Sequence, residues 1–146
     1  MAFSISYDDY LPADVAEKMR TANEGVICGI LVETEQGDKN LDTILDVAGV
    51  DLVWVGLLDL PLSLGIPGQY SHPRFKEAVR LILQISKAHK KPVGTLSSSL
   101  DRMGEHISEG YQCIGDGGDI WLLQQALFEG VKAVRKESSL RSGDSC

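Results

Sequence analysis

Apolar residues follow two alternating patterns along the chain. Four short, near-continuous apolar runs read as strands: VICGILVET (26–34), DLVWVGLL (51–58), PVGTLSS (92–98) and YQCIG (111–115). Runs without polar alternation suit a parallel sheet covered on both faces. Between them the spacing changes to three and four. Leu41, Ile44, Leu45 and Ala48 lie at i, i+3, i+4 and i+7 in GDKNLDTILDVAG (37–49), one face of a helix that Gly49 stops. Phe75, Val79 and Ile82 mark the inner stripe of HPRFKEAVRLILQISKAHKK (72–91), with Pro73 in its first turn and basic residues at its C-terminal dipole. Leu100, Met103 and Ile107 are the expected buried side of SLDRMGEHISEG (99–110). PADVAEKMRTANE (12–24), with Pro12 in its first turn and Gly25 past its end, and DIWLLQQALFEGVKAVRKE (119–137) complete the helices. The polar residues 138–146 read as a disordered tail.

The pattern predicts an α/β fold: one helix, then four strand–helix units on a parallel sheet, in a single domain over residues 1–137. Two architectures fit. One is a small open sheet with helices on both faces. The other is half of a TIM (β/α)8 barrel. A whole barrel takes ~250 residues, so 146 residues cannot close one alone. A half barrel exposes two edge strands and needs its second half from another chain.

Charge narrows the partners. The net charge of −7 argues against nucleic acid and anionic membranes, and no apolar run reaches the ~20 residues of a bilayer span. The first ten residues lack the basic and apolar regions of a signal peptide. Cys28, Cys113 and Cys146 have neither zinc-finger nor redox spacing, which predicts a reducing cytoplasm. Cys28 and Cys113, inside apolar runs, are expected to be small core residues.

In both architectures the working face is the C-terminal end of the strands. Glu33 and Thr34 end the first strand, Asp59 the second, Thr95, Ser97 and Ser98 the third, and Asp116 and Asp119 the fourth. Two carboxylates on neighbouring strand ends either repel or share a hard cation. Equally, Asp59 caps the turn that follows it and Glu33 is simply solvated. GDGGD (115–119) reads either as an anion-binding nest or as a tight turn with Asp119 as N-cap. His72 is placed to cap its helix, His89 to complement a helix dipole at the surface, and His106 to lie on the surface. Trp54 and Trp121 read as core or interface aromatics.

The stretch ILVETEQGDKNLDTILDVAGVDLVWVGLLDLPLSLGIPGQYSHP, with DDYLPADVAEKMRTANE before it and the GDGGD turn after it, resembles the HpcH/HpaI aldolase family, the metal-dependent pyruvate aldolases. The resemblance implies a (β/α)8 barrel of which this chain is the second half, strands five to eight. It makes Glu33 and Asp59 the ligands of a divalent metal, Mg²⁺ or Mn²⁺, with Co²⁺ also suited. That metal would chelate pyruvate or another small 2-oxo acid and stabilise the enolate of aldol cleavage. The backbone N–H groups of Leu58 and Asp59 would hold the substrate carboxylate. Two departures stand out. Leu57-Leu58 replaces the family's Pro-Ala, and the family's catalytic His and substrate-binding Arg lie in the half that this sequence does not contain. No general base is therefore assigned. The expected activity is a 2-oxo-acid aldolase or lyase. The alternatives are an assembly module that needs a partner half, and an unrelated α/β sheet with an anion site at GDGGD. The resemblance also implies a homo-oligomer or a companion half barrel, because family members can exchange their last helix.

Overall fold

The computed structural model describes residues 14–97 and 99–143, the side chains of residue 100 and of residues 138–143 excepted. Its elements run α1 (Val15–Gly25), β1 (Gly29–Val32), α2 (Glu35–Lys39), α3 (Leu41–Leu45), β2 (Leu52–Val55), α4 (Asp59–Ser63), α5 (Pro73–Ala88), β3 (Val93–Ser97), α6 (Leu100–Glu109), β4 (Cys113–Asp116) and α7 (Asp119–Gly143). The four strands form one sheet in the order β1-β2-β3-β4, and every pairing is parallel. A sequential order has no reversal point, so right-handed crossovers place successive helices on the same face. That is the arrangement of a barrel segment rather than of a doubly wound sheet.

The core lies on the helix side. Val32, Val53, Val55 and Val93 point there and meet Leu41, Leu45, Phe75, Ala78 and Ile82, all buried. Thr95 is also on this side, and its Oγ1 donates to the Val55 carbonyl at 3.1 Å. The opposite face carries the alternate positions. There Leu31 is 55% and Leu96 39% exposed. Trp54 lies across the sheet over Gly94 and Gly115: a β-carbon on Gly94 would come within 2.6 Å of the indole, and one on Gly115 within 3.4 Å. Two glycines in neighbouring strands thus make the floor on which the ring rests.

Local chemistry explains most boundaries. Asp14 caps α1 by accepting from the N–H groups of Ala16 and Glu17, so that helix starts later than expected; Pro12 lies outside the described residues. His72 caps α5, its Nδ1 accepting from Arg74 N–H at 3.1 Å, with Pro73 at the first position as expected. Gly110 caps the C-terminus of α6 at φ 108°, which glycine tolerates best; Gly49, at φ 93°, does not stop α3, which is already capped at Asp46, but turns the chain after it.

Several expectations are corrected. The helix over 37–49 is two short helices broken at Asn40, because Thr34 starts the first one early: its Oγ1 accepts from Gly37 N–H. Ala48 is exposed, since α3 has already ended. The strand over 26–34 is paired only from Gly29 to Val32, and only Val32 of it is buried, because no described residues form a layer over the second face of the sheet. Cys28 and Cys113 are exposed for the same reason. They flank or begin the two edge strands. On α6 the inner side is rotated: Ile107 is 64% exposed and His106 4%. His89 is no free surface residue, for its Nε2 lies 2.8 Å from Asp42 Oδ1 and pins α5 to α3. Asp119 is the first residue of α7, and the Gly118 carbonyl takes the cap position by accepting from Leu122 N–H. That helix also continues to Gly143 through residues assigned to the tail. Residues 144–146 lie outside the described residues.

Candidate active site

The loops after β1 and β2 are tied together below the strand ends. Glu35 N–H, in the first turn of α2, donates to Ser63 Oγ, in the last turn of α4, at 3.0 Å. Arg74 Nη1 donates to the Leu64 carbonyl at 3.0 Å, and its Nη2 lies 3.5 Å from Glu35 Oε1. Lys39, bonded to Glu35 at 2.9 Å, holds that carboxyl below the usual carboxylate range through its hydrogen bond and charge, with Arg74 adding to the effect. The one-turn helix α4, which the sequence pattern did not reveal, begins at Asp59 with Leu58 as its N-cap.

This frame presents Glu33 and Asp59 to a single cavity of about 650 Å³ at the strand ends. Glu33 follows β1 and is half-buried, while Asp59 is exposed. Gly56 makes room for Glu33: a β-carbon at position 56 would stand 2.8 Å from Glu33 Cβ. Leu58, Tyr70 and Trp121 line the same space. Thr34 does not, being spent as the α2 cap. Ser97 lines the cavity with its Oγ donating to the Ser99 carbonyl at 3.1 Å. Thr95, Asp116 and Asp119 are not among the lining residues, and Ser98 lies outside the described residues.

Two further lining residues escaped the sequence reading: Arg102 and His106. Both are on α6 at i, i+4, so they share a face. His106 is buried with its ring edge-on to Tyr111, the centroids 5.1 Å apart, and its Nδ1 is 3.3 Å from Glu109 Oε2. The left-handed Gly110 turn sets this up by folding Tyr111 back, so that its N–H donates to the His106 carbonyl at 3.0 Å. Arg102 has one ion pair among the described residues, Nε to Glu105 Oε2 at 3.7 Å. The i, i+4 spacing was the available signal, but the Leu100–Met103–Ile107 stripe masked it.

Among the described residues no three His, Cys, Asp or Glu side chains converge as a closed metal cage. The donor set is an open pair of carboxylates. An open pair fits a hard divalent cation of the Mg²⁺ class, which keeps water and substrate in its remaining positions.

Residues 10–126 match the sequence profile of HpcH/HpaI aldolase/citrate lyase. The chain belongs to that family. Among curated HpcH/HpaI relatives, 5-keto-4-deoxy-D-glucarate aldolase of Shigella boydii is 29% identical over 123 residues, covering 84% of this chain and 48% of that protein. The enzyme of the same name from Citrobacter koseri is 28% identical over 91% of this chain and 52% of its own length. Among solved structures, the HpcH/HpaI aldolase of Desulfitobacterium hafniense superposes with a TM-score of 0.72 at 29% identity, over 88% of this chain and 50% of that one. An HpcH/HpaI aldolase/citrate lyase family protein of Burkholderia cenocepacia gives 0.75 at 26%, over 87% and 54%. The chain therefore spans about half the length of the family members that it matches. No helix among the described residues is long and apolar enough to cross a membrane.

Proposed function

We propose that this chain is the metal- and substrate-binding half of an aldolase or lyase that cleaves or forms a C–C bond beside a 2-oxo acid group. The carrying observation is that Glu33 and Asp59, from neighbouring strand ends, face one cavity. These two carboxylates would hold Mg²⁺ or Mn²⁺, with Co²⁺ also suited. The bound cation supplies Lewis-acid polarisation of the substrate carbonyl. The substrate is pyruvate or another small 2-oxo acid. The N–H groups of Leu58 and Asp59 open α4, where helical backbone donors lack intrahelical partners, and they would donate hydrogen bonds to the substrate carboxylate. In the cleavage direction the bond between the 2-oxo acid's methylene carbon and the adjacent carbinol carbon breaks. Its electron pair stays with the 2-oxo acid, and the carbinol proton goes to a base. The unpaired thiols of Cys28 and Cys113 favour a reducing cytoplasm.

The reading is tested by exchange of pyruvate methyl protons in D₂O, followed by NMR with Mn²⁺ or Mg²⁺ and then with chelator. Exchange that requires metal and vanishes in Asp59→Asn is the expected result. Exchange indifferent to both changes would sink it.

A second reading, a non-catalytic assembly module, is favoured by one observation. α7 shows Ile120, Leu123, Leu127 and Phe128 to solvent, each more than 60% exposed. It predicts stable association with no exchange under any metal condition.

A further inference from the structure

Glu33 and Asp59 leave the sheet on separate segments. At the ends of β1 and β2, Gly56 N–H donates to the Val32 carbonyl at 2.9 Å. Beyond that bond the two carboxylates stand on different loops, and their separation depends on what joins the loops. For a pair that shares one cation, this separation governs affinity, because a hard cation takes its oxygen ligands at set distances.

The loops are joined from a third element. Arg74 lies in the first turn of α5, and its backbone is fixed. Its N–H donates to the His72 cap at 3.1 Å, and Phe75, Ala78 and Ile82 anchor the helix in the core. From this base the guanidinium reaches two ways. Nη1 donates to the Leu64 carbonyl at 3.0 Å, where Leu64 is the C-cap of α4. Nη2 lies 3.5 Å from Glu35 Oε1, two residues past Glu33. α4 is a single turn that begins at Asp59, so holding its end holds its start. Thr34, between Glu33 and Glu35, is fixed as the α2 N-cap, so holding Glu35 holds Glu33. The bond from Glu35 N–H to Ser63 Oγ, at 3.0 Å, ties the two loops directly. Lys39 pairs with the same Glu35, but it belongs to α2 and braces that helix only against itself. A rigid fork of donors suits a bridge between two acceptors, where the single ammonium of a lysine does not.

We infer that Arg74 is a positioning residue, bracing the Glu33 loop against the Asp59 loop so that both carboxylates reach one cation. Arg74 is not among the residues that line their cavity, so it acts through Glu35 and Leu64. Its effect on metal affinity rests on the site proposed above, whereas the brace itself is a property of the fold, so either can fail alone. Charge and geometry predict opposite signs here. Arg74 is a cation near a cation site, so loss of its charge alone would tighten metal binding. Loss of the brace weakens it, because ligands are held in place by the shell behind them.

The test is Mn²⁺ titration of the full chain by electron paramagnetic resonance, with deuterium uptake followed by mass spectrometry in the absence of metal. Arg74→Ala should bind Mn²⁺ about three- to tenfold more weakly, a smaller loss than for a partner bonded directly to a ligand. It should also take up deuterium faster over both residues 33–37 and residues 57–65. Arg74→Lys keeps the charge and loses the fork, so it should likewise bind more weakly than the unaltered chain. Arg80→Ala, on the same helix, breaks the pair with Glu77 at 2.7 Å and should change neither measurement. Ser63→Ala, which should loosen the same two segments, is the second variant should Arg74→Ala not fold. Unchanged or tighter Mn²⁺ binding by folded Arg74→Ala overturns the inference. So does Arg74→Lys that binds as tightly as the unaltered chain, and so does uptake unchanged at either segment. If the unaltered chain binds no Mn²⁺, the metal site proposed above falls instead, and faster uptake at both segments in Arg74→Ala still upholds the brace.

Discussion

Gly56 and Glu33 pack against each other where β1 and β2 end: a β-carbon on Gly56 would lie 2.8 Å from Glu33 Cβ. The glycine is therefore part of what aims the carboxylate. Gly56→Ala should destabilise the fold by about 1–3 kcal/mol in urea denaturation, since neither strand can retreat. With Glu33 in its proposed role as a metal ligand, the substitution should also weaken Mn²⁺ binding by roughly ten- to a hundredfold, the usual effect of disturbing a group behind a ligand. Electron paramagnetic resonance titration of free Mn²⁺ measures the second effect. Unchanged affinity in a folded variant would remove Glu33 from the metal set.

Trp54 depends on Gly94 in the same way. A β-carbon at position 94 would meet the indole at 2.6 Å and the Cys113 carbonyl at 3.0 Å. In a Trp121→Phe background, which leaves Trp54 as the sole indole, Gly94→Ala should shift the fluorescence maximum to the red as the ring lifts from the sheet. It should cost about 1–3 kcal/mol.

Tyr111 is 3% exposed, and its hydroxyl finds no partner among the described residues. Burial pushes its phenol well above the ordinary range, with the Glu109 charge adding to that and Arg102 opposing it. Tyr111→Phe removes the orphaned group and keeps the ring against His106. The variant should be more stable by about 1 kcal/mol in urea denaturation. Loss of stability would reveal a partner for the hydroxyl.

Asp38 gives a pH dependence. Burial raises its carboxyl pKa, the Glu35 charge raises it further, and Lys39 partly offsets both. Its Oδ1 is buried without a partner among the described residues. A raised folded pKa means that the folded state holds the proton more tightly than the unfolded chain. The contribution therefore favours folding in acid and is lost as pH rises through the folded value. Asp38→Asn should raise the denaturation midpoint near about pH 7 and leave it unchanged near about pH 3. A gain of equal size at both values would show that the carboxyl charge is not the cause.

The alternation of apolar runs with helical spacings was enough to read four parallel strand–helix units; the strand ends offered Glu33 and Asp59 as neighbouring carboxylates, and only the family resemblance read them as metal ligands rather than as a cap and a solvated acid. Both follow from simple rules: side-chain period sets the element, and the common direction of parallel strands gathers their C-terminal ends on one rim. The sequence did not reveal α4, because a one-turn helix has no period. It misjudged α6, because Leu100, Met103 and Ile107 are as good a stripe as the one containing His106, and only packing against Tyr111 chooses between them. It also overstated burial. A continuous apolar run reports that a strand can be covered on both faces, and Leu31, Cys28 and Cys113 are apolar enough for that. Whether the cover exists depends on what lies across the sheet, and among the described residues only the helix side has it. Element type and the placing of two carboxylates at neighbouring strand ends were thus local properties of the sequence. Helix rotation, the entry of Arg102 and His106 into the cavity and the open inner face were decided by tertiary packing, because each depends on residues far apart in the chain.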